Sequence, residues 1–162
     1  MSYIKSFLLC LCSVMMLGAC QTLSMSELAS RTQDKLDRIA IAEPTTRFEQ
    51  IFNRQLLDNF NQNSGLRDIS LITSLSETNA STLSVKGKSS NLSKTVMTLN
   101  YRLVDRISND ELTTGTIKAT ATSGTVEPYF GKDKSKQFAA ERLTKQLADK
   151  LTLRLRRYFL DN

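Results

Sequence analysis

Cys20 carries the most definite chemistry in the chain. It is one of three cysteines among 162 residues and follows Leu17-Gly18-Ala19. That stretch, with two small residues before the cysteine, closes an apolar run, Phe7 to Met16, which Lys5 precedes. A short basic start, an apolar segment and small residues before a cut describe a secretory signal peptide. The run is too short to cross a bilayer as a helix, which takes about 20 residues. Cys10 and Cys12 leave with such a leader, so no disulfide can form within the mature chain, even in an oxidising compartment. The chain has no histidine. That removes the commonest general base and metal ligand, and with it any Ser-His-Asp or Cys-His site. The 16 acids stand in no recognisable catalytic arrangement. No Gly-rich phosphate loop, metal-spaced cluster or nucleophile elbow is present. The sequence therefore points away from an enzyme, and no metal or cofactor is expected.

What remains is charge. Lys and Arg outnumber acids 22 to 16, a formal net charge of +6. Such an excess suits nucleic acid, anionic lipid or an acidic partner. An exported chain rarely meets nucleic acid, so envelope partners are favoured. Lys86, Lys88, Lys94, Arg102, Lys118, Lys132 and Lys134 are candidates for charge-assisted contacts to lipid phosphates. The competing reading of each is a solvated basic surface.

Leu17-Gly18-Ala19-Cys20 resembles the lipobox of bacterial lipoproteins. The resemblance implies cleavage before Cys20, a thioether-linked diacylglycerol on its sulfur and acylation of the new amino terminus. A single acyl chain anchors marginally, whereas two or more hold a protein on a membrane at about 0.8 kcal/mol per buried methylene. Gln21, rather than an aspartate, follows the cysteine. In Gram-negative lipoproteins that resembles the default destined for the outer membrane.

The elements that must position these residues read as follows. Residues 1–19 are a lipoprotein signal peptide, 20–35 a lipidated polar tether with helix near Ser26 to Leu36, and 36–162 a single domain. Leu36 to Ala42 alternates as a short strand. Thr46 with Glu49 fits a capping box opening a helix, whose Phe48, Ile51, Phe52, Leu56 and Phe60 form one apolar stripe. Leu66 to Leu75 reads as a strand in which Ile72 and Leu75 break the alternation. Ser76 to Ser93 is polar, with room for a short strand at Thr82 to Lys86 and a turn at Gly87. Lys94 to Arg106 is the clearest strand, with Met97, Leu99, Tyr101 and Leu103 on one face. Ser108-Asn109-Asp110 turns the chain into Leu112 to Ser123, where Ile117, Ala119 and Ala121 point inward, so the two runs form an antiparallel hairpin. Gly124 to Lys136 reads as a loop. Ser135 to Leu160 reads as the longest helix, with Ala139, Leu143, Leu147, Leu151 and Leu155 every fourth residue. The predicted fold is α+β: two helices packed on one face of a mainly antiparallel sheet of about four strands.

This pattern resembles the LPS-assembly lipoprotein family of LptE type, especially its alphaproteobacterial members. The resemblance rests on the lipobox, the strand Tyr101-Arg102-Leu103-Val104-Asp105, the partner strand Leu112 to Thr122, Phe138-Ala139 at the start of the last helix, and its end, Leu151 to Leu160. Relatives often carry a Gly-Phe-x-Pro segment after the cysteine, where this chain has Gln21-Thr22-Leu23-Ser24. The resemblance implies an outer-membrane lipoprotein facing the periplasm. It would plug and assist an outer-membrane β-barrel LPS-assembly protein of LptD type and would bind lipopolysaccharide through basic residues. The residues themselves leave two other readings open: a stand-alone binder of anionic glycolipid, and an auxiliary lipoprotein of an envelope transporter.

Overall fold

A computed structural model describes residues 25–60, 65–81, 92–124 and 129–162. The chain divides into two compact units, Met1–Arg31 and Thr32–Asn162. Helix α1 (Met25–Asp37) spans that division. Strand β1 (Ile39–Ile41), helix α2 (Arg47–Phe60), strands β2 (Ile69–Ser81), β3 (Leu92–Asp105) and β4 (Glu111–Gly124), and helix α3 (Tyr129–Asp161) complete the second unit. The strands form one sheet in the order β1-β2-β3-β4. β1 runs parallel to β2, with α2 as the crossover; the other pairs are antiparallel. The architecture is the α+β sheet with helices that the periodicities predict, preceded by the helix read near Ser26 to Leu36, which spans Met25–Asp37.

Period two organises the sheet. Met97, Leu99, Tyr101 and Leu103 of β3 are all buried, and Ala119 and Ala121 of β4 join them. Their neighbours Arg102, Lys118, Thr120 and Thr122 are exposed. In β2 the buried residues are Ile69 and Leu71, with Leu75 half-buried. Leu75 thus shares their parity and is in register; Ile72 alone departs, exposed on the opposite face. β2 also continues through Ser76–Ser81, which composition marks as loop. Its partner supplies the reason: Glu77 to Ser81 pairs with Met97 to Ser93, so the ladder extends β2 where side chains give no signal. The extra strand expected at Thr82 to Lys86 and the turn at Gly87 lie outside the described residues.

The helices cover one face. Phe52, Leu56 and Phe60 of α2 and Leu143, Leu147, Leu151 and Leu155 of α3 meet the inward strand residues in one core. Each such side chain contributes about 1.5–3 kcal/mol by leaving water. The capping box forms as read: the Glu49 amide donates to Thr46 Oγ1 at 3.2 Å, and the Thr46 amide donates to Glu49 Oε2 at 3.0 Å. Thr45 adds its amide and hydroxyl to the same carboxylate. Those donors hold the Glu49 carboxyl below the usual range, the Thr45 hydroxyl contributing most. Across the helix pair, Arg47 meets Glu141 at 2.8 Å and Gln55 donates to Asp149 at 3.2 Å. Both contacts span 94 residues, and a constant offset means that α2 and α3 run parallel.

Two boundaries differ from the sequence reading. Leu36 is not strand; it is buried near the end of α1, and β1 is confined to Ile39–Ile41. The helix persists because it seats Leu36 in the core, while Gln33 donates to the Phe60 carbonyl at the end of α2. The segment from 129 to 134 is not loop; α3 starts at Tyr129. Lys132, Lys134 and Lys136 are good helix formers, and the helix extends past its core stripe on that propensity. The 108–110 turn holds as read, with Asn109 at a φ of 62° and Asp105 Oδ1 accepting from the amides of Ile107 and Ser108.

Candidate functional site

The helices leave one face of the sheet open, and the predicted cations sort onto it by parity. Even positions of β2, β3 and β4 face away from the core. They carry Ser70, Ile72, Ser74, Ser76 and Thr78; Lys94, Val96, Thr98, Asn100 and Arg102; and Thr114, Thr116, Lys118, Thr120 and Thr122. Hydroxyl and amide groups dominate. Asn100 Oδ1 accepts from Thr116 Oγ1 at 2.7 Å across the β3–β4 pair, and Thr114 Oγ1 donates to the Tyr101 carbonyl at 3.0 Å.

Lys94, Arg102 and Lys118 are therefore brought to one surface. Lys118 pairs with Thr98, midway along β3 between the other two. At about 3.4 Å per residue the three charges stand roughly 14 Å apart in sequence along the face. Each is exposed. Among the described residues, only Arg102 of the three has an acidic neighbour in contact: Glu111 Oε2 lies 3.9 Å from its Nε. Among the described residues, the even positions within β2 and β3, and those of β4 from Thr114 onward, carry no acid. Such a surface can hydrogen-bond an extended anionic, sugar-rich or phosphate-bearing ligand at several separated points, with hydroxyls between them.

Lys134 lies exposed on α3, in the helix layer, and does not join this face. Lys132 is also on α3. Lys86, Lys88 and Cys20 lie outside the described residues. Among the described residues, no three of the His, Cys, Asp and Glu side chains cluster in a way that could hold a metal ion, and no helix is long and apolar enough to cross a membrane.

Reading residues singly misses how firmly this surface is framed at one end. Arg38 Nε donates to Asp68 Oδ1 at 2.9 Å, and its Nη2 engages Asp68 Oδ2, a two-point clamp between the starts of β1 and β2. The guanidinium holds the Asp68 carboxyl below the ordinary range, chiefly through these hydrogen bonds. The Arg106 amide donates to the Asp68 carbonyl at 2.7 Å and so fastens the β3–β4 turn to the same corner. Arginine and aspartate 30 residues apart leave no local signal of this pairing. Sequence reading also misses Lys150 and Arg154 of α3. Their ammonium and guanidinium groups donate to the carbonyls of Lys118 and Thr116, each at 3.3 Å.

Comparison with solved structures returns the same fold in proteins described as lipoproteins. A crystal structure of a candidate lipoprotein from Caulobacter crescentus CB15 aligns with TM-score 0.66 at 18% identity, covering 82% of this chain and 98% of that one. The minor lipoprotein of Acinetobacter baumannii aligns with TM-score 0.57 at 13% identity, over 73% of this chain and 87% of the other. Rare lipoprotein B of Shewanella oneidensis gives TM-score 0.50 at 11% identity, over 72% and 89%. At these identities the likeness concerns the fold. No curated protein sequence matches the chain. A family model described as lipopolysaccharide-assembly, LptE, matches residues 36–155, from the last turn of α1 to the buried Leu155 of α3. The chain belongs to the LptE family of lipopolysaccharide-assembly lipoproteins.

Proposed function

We propose that this protein is an outer-membrane lipoprotein that acts with a β-barrel partner of LptD type, as plug and assembly factor, in carrying lipopolysaccharide to the cell surface. The family is one of assembly, not of catalysis. In this reading the signal peptide ends at residue 19, acylated Cys20 holds the mature chain on the membrane, and residues 20–35 tether the domain on the periplasmic side. The observation that carries the reading is the open face of the sheet. It is long, rich in Ser, Thr and Asn, studded with Lys94, Lys118 and Arg102, and nearly free of acids. A water-lined barrel lumen is polar and tolerates such a surface without burying an unpaired group. The same cations, with Lys86, Lys88, Lys132 and Lys134, would bind lipid phosphates.

Purification of the tagged chain from detergent-solubilised outer membranes tests the partnership. A stoichiometric barrel protein is expected with it, and recovery of the chain without one sinks the plug role. Mass spectrometry of the mature amino terminus tests the anchor. An unmodified residue there removes Cys20 from the account.

A further inference from the structure

β4 ends the sheet, and its outer edge is long and lightly guarded. The strand runs fourteen residues, Glu111–Gly124, without a proline. Natural sheets blunt such edges with prolines, bulges, inward charges or a covering element, because an open row of amides and carbonyls recruits other strands. Here the one register irregularity, between Leu103 and Val104, lies opposite the beginning of β4 and leaves the rest straight.

Two observations agree on which groups point outward. The Tyr101 carbonyl accepts from Thr114 Oγ1, so it points toward β4, and Tyr101 pairs with Gly115. Odd residues of β4 therefore exchange hydrogen bonds with β3, and even residues present theirs to the free edge. Consistently, the even carbonyls of Thr116 and Lys118 are the ones that accept from α3. Lys150 and Arg154 occupy the positions from which the amides of a neighbouring strand would donate. Four residues on a helix advance about 6 Å, and two residues on a strand about 6.6 Å, so the two cations match successive outward carbonyls. Both contacts are long, and both side chains are exposed. Among the described residues, no group covers the outward amides in the same way: a cation cannot accept a hydrogen bond from them.

We propose that the free edge of β4 is a strand-addition site that takes an extended, acidic segment of a partner protein. The added strand would donate its own amides to the carbonyls of Thr116 and Lys118 and accept from the outward amides of β4, as in β-augmentation. Displaced, Lys150 and Arg154 would turn to its side chains on the helix side, while Lys118 meets it on the open face. Alternate side chains on one face of the incoming strand stand about 6.6 Å apart, the spacing of the two displaced cations. Carboxylates there satisfy both. The same charge disfavours a second copy of this chain, since two such edges would bring the cations of each together. The proposal does not depend on lipopolysaccharide binding by the open face.

The test uses the full chain in detergent micelles and a synthetic ten-residue peptide of alternating threonine and glutamate, with its threonine–lysine counterpart as control. Amide hydrogen exchange of β4 is read by NMR. The acidic peptide is expected to slow exchange at Thr116, Lys118 and Thr120 at least tenfold, with odd-numbered amides unchanged. Lys150→Gln with Arg154→Gln should remove the preference for the acidic peptide. Thr120→Pro deletes only an outward amide, leaves the pairing with β3 intact, and should abolish the protection. Equal protection by both peptides, or none by the acidic one, overturns the proposal on the wild-type chain alone. So does protection that appears without peptide and grows with protein concentration.

Discussion

The spacing of Lys94, Lys118 and Arg102 makes a quantitative claim about binding. Lys118 sits level with Thr98, four residues from each of the others along β3, or about 14 Å. The Debye length at physiological salt is about 8 Å, so the three charges act independently there. Each exposed cation meeting a phosphate is worth up to about 1 kcal/mol, or roughly a fivefold change in affinity. Lys94→Gln, Lys118→Gln and Arg102→Gln should each weaken binding of purified lipopolysaccharide three- to fivefold near 150 mM salt, as ~1 kcal/mol implies. Because the sites are independent, the triple variant should lose their product, on the order of 100-fold. Near 10 mM salt the Debye length grows to about 30 Å, the charges feel one another's phosphates, and the product rule should fail. Arg102 differs in one respect, since Glu111 stands 3.9 Å away and competes for it. Glu111→Gln should therefore strengthen binding by a small factor. The assay is titration of the delipidated domain with lipopolysaccharide at two salt concentrations. A triple variant that binds like the wild type refutes the open-face reading. Single variants that each abolish binding refute the independence, because that would mark one closed site rather than a spread of contacts.

Three further expectations concern stability. An ideal Cβ at Gly115 would lie 2.9 Å from Tyr101 Oη and 3.1 Å from two of its ring carbons, so Gly115→Ala should cost about 1–3 kcal/mol and lower Tm, while on a Tyr101→Ala background the same change should be neutral or favourable, as a double-mutant cycle by thermal denaturation will show. The Asp68 and Glu49 carboxyls are both held below their ordinary values, so the stability they add is present above the unfolded carboxylate range near pH 4 and lost as pH falls through the lowered values; Asp68→Asn should be costlier at pH 7 than at pH 3 in urea titrations, and an equal cost at both refutes the clamp. Leu147 is fully buried beneath the sheet, so Leu147→Ala should cost about 2–5 kcal/mol in the same assay, well beyond any single open-face substitution.

What could be read from the residues is what local physics determines. Thr46 and Glu49 announce a helix start because the capping box closes within one turn, and the alternation from Met97 to Leu103 fixes both a strand and its buried face. The stripe from Leu143 to Leu155 needs only helical spacing to be seen. What could not be read depends on partners distant in sequence. Ser76–Ser81 is strand because residues 93–98 lie opposite it, and Thr95 is buried there, with its hydroxyl donating to Asn79 Oδ1 at 2.7 Å. Leu36 is helical because it seats in a core built mostly from later elements. Asn53 looks like an interruption of its helix, yet its amide group donates to the Ala42 carbonyl at 2.8 Å and ties α2 to the end of β1. For the candidate surface, the alternation of β3 and β4 already placed Arg102 and Lys118 away from the core. That the two and Lys94 share the face away from the helices required knowing which side the helices take. Lys150 and Arg154 gained a role only once β4 proved to be the edge of the sheet.

The alternation of β3 also separates folding from binding in a way experiment can use. Its odd residues Met97, Leu99, Tyr101 and Leu103 are buried in the core shared with α2 and α3, and its even residues Lys94, Thr98, Asn100 and Arg102 are not part of that core. Charges on the even side are exposed, and an exposed pair such as Arg102 with Glu111 adds little to stability, under about 1 kcal/mol. Glutamine at Lys94, Lys118 or Arg102 should thus leave the urea midpoint nearly unchanged while lipopolysaccharide affinity falls. Alanine at Leu99, one residue from Asn100, should do the opposite: a large stability loss, with affinity kept by whatever fraction remains folded. If open-face variants lose binding only in proportion to lost stability, the cations are part of the scaffold, and the ligand surface must be sought elsewhere on the protein.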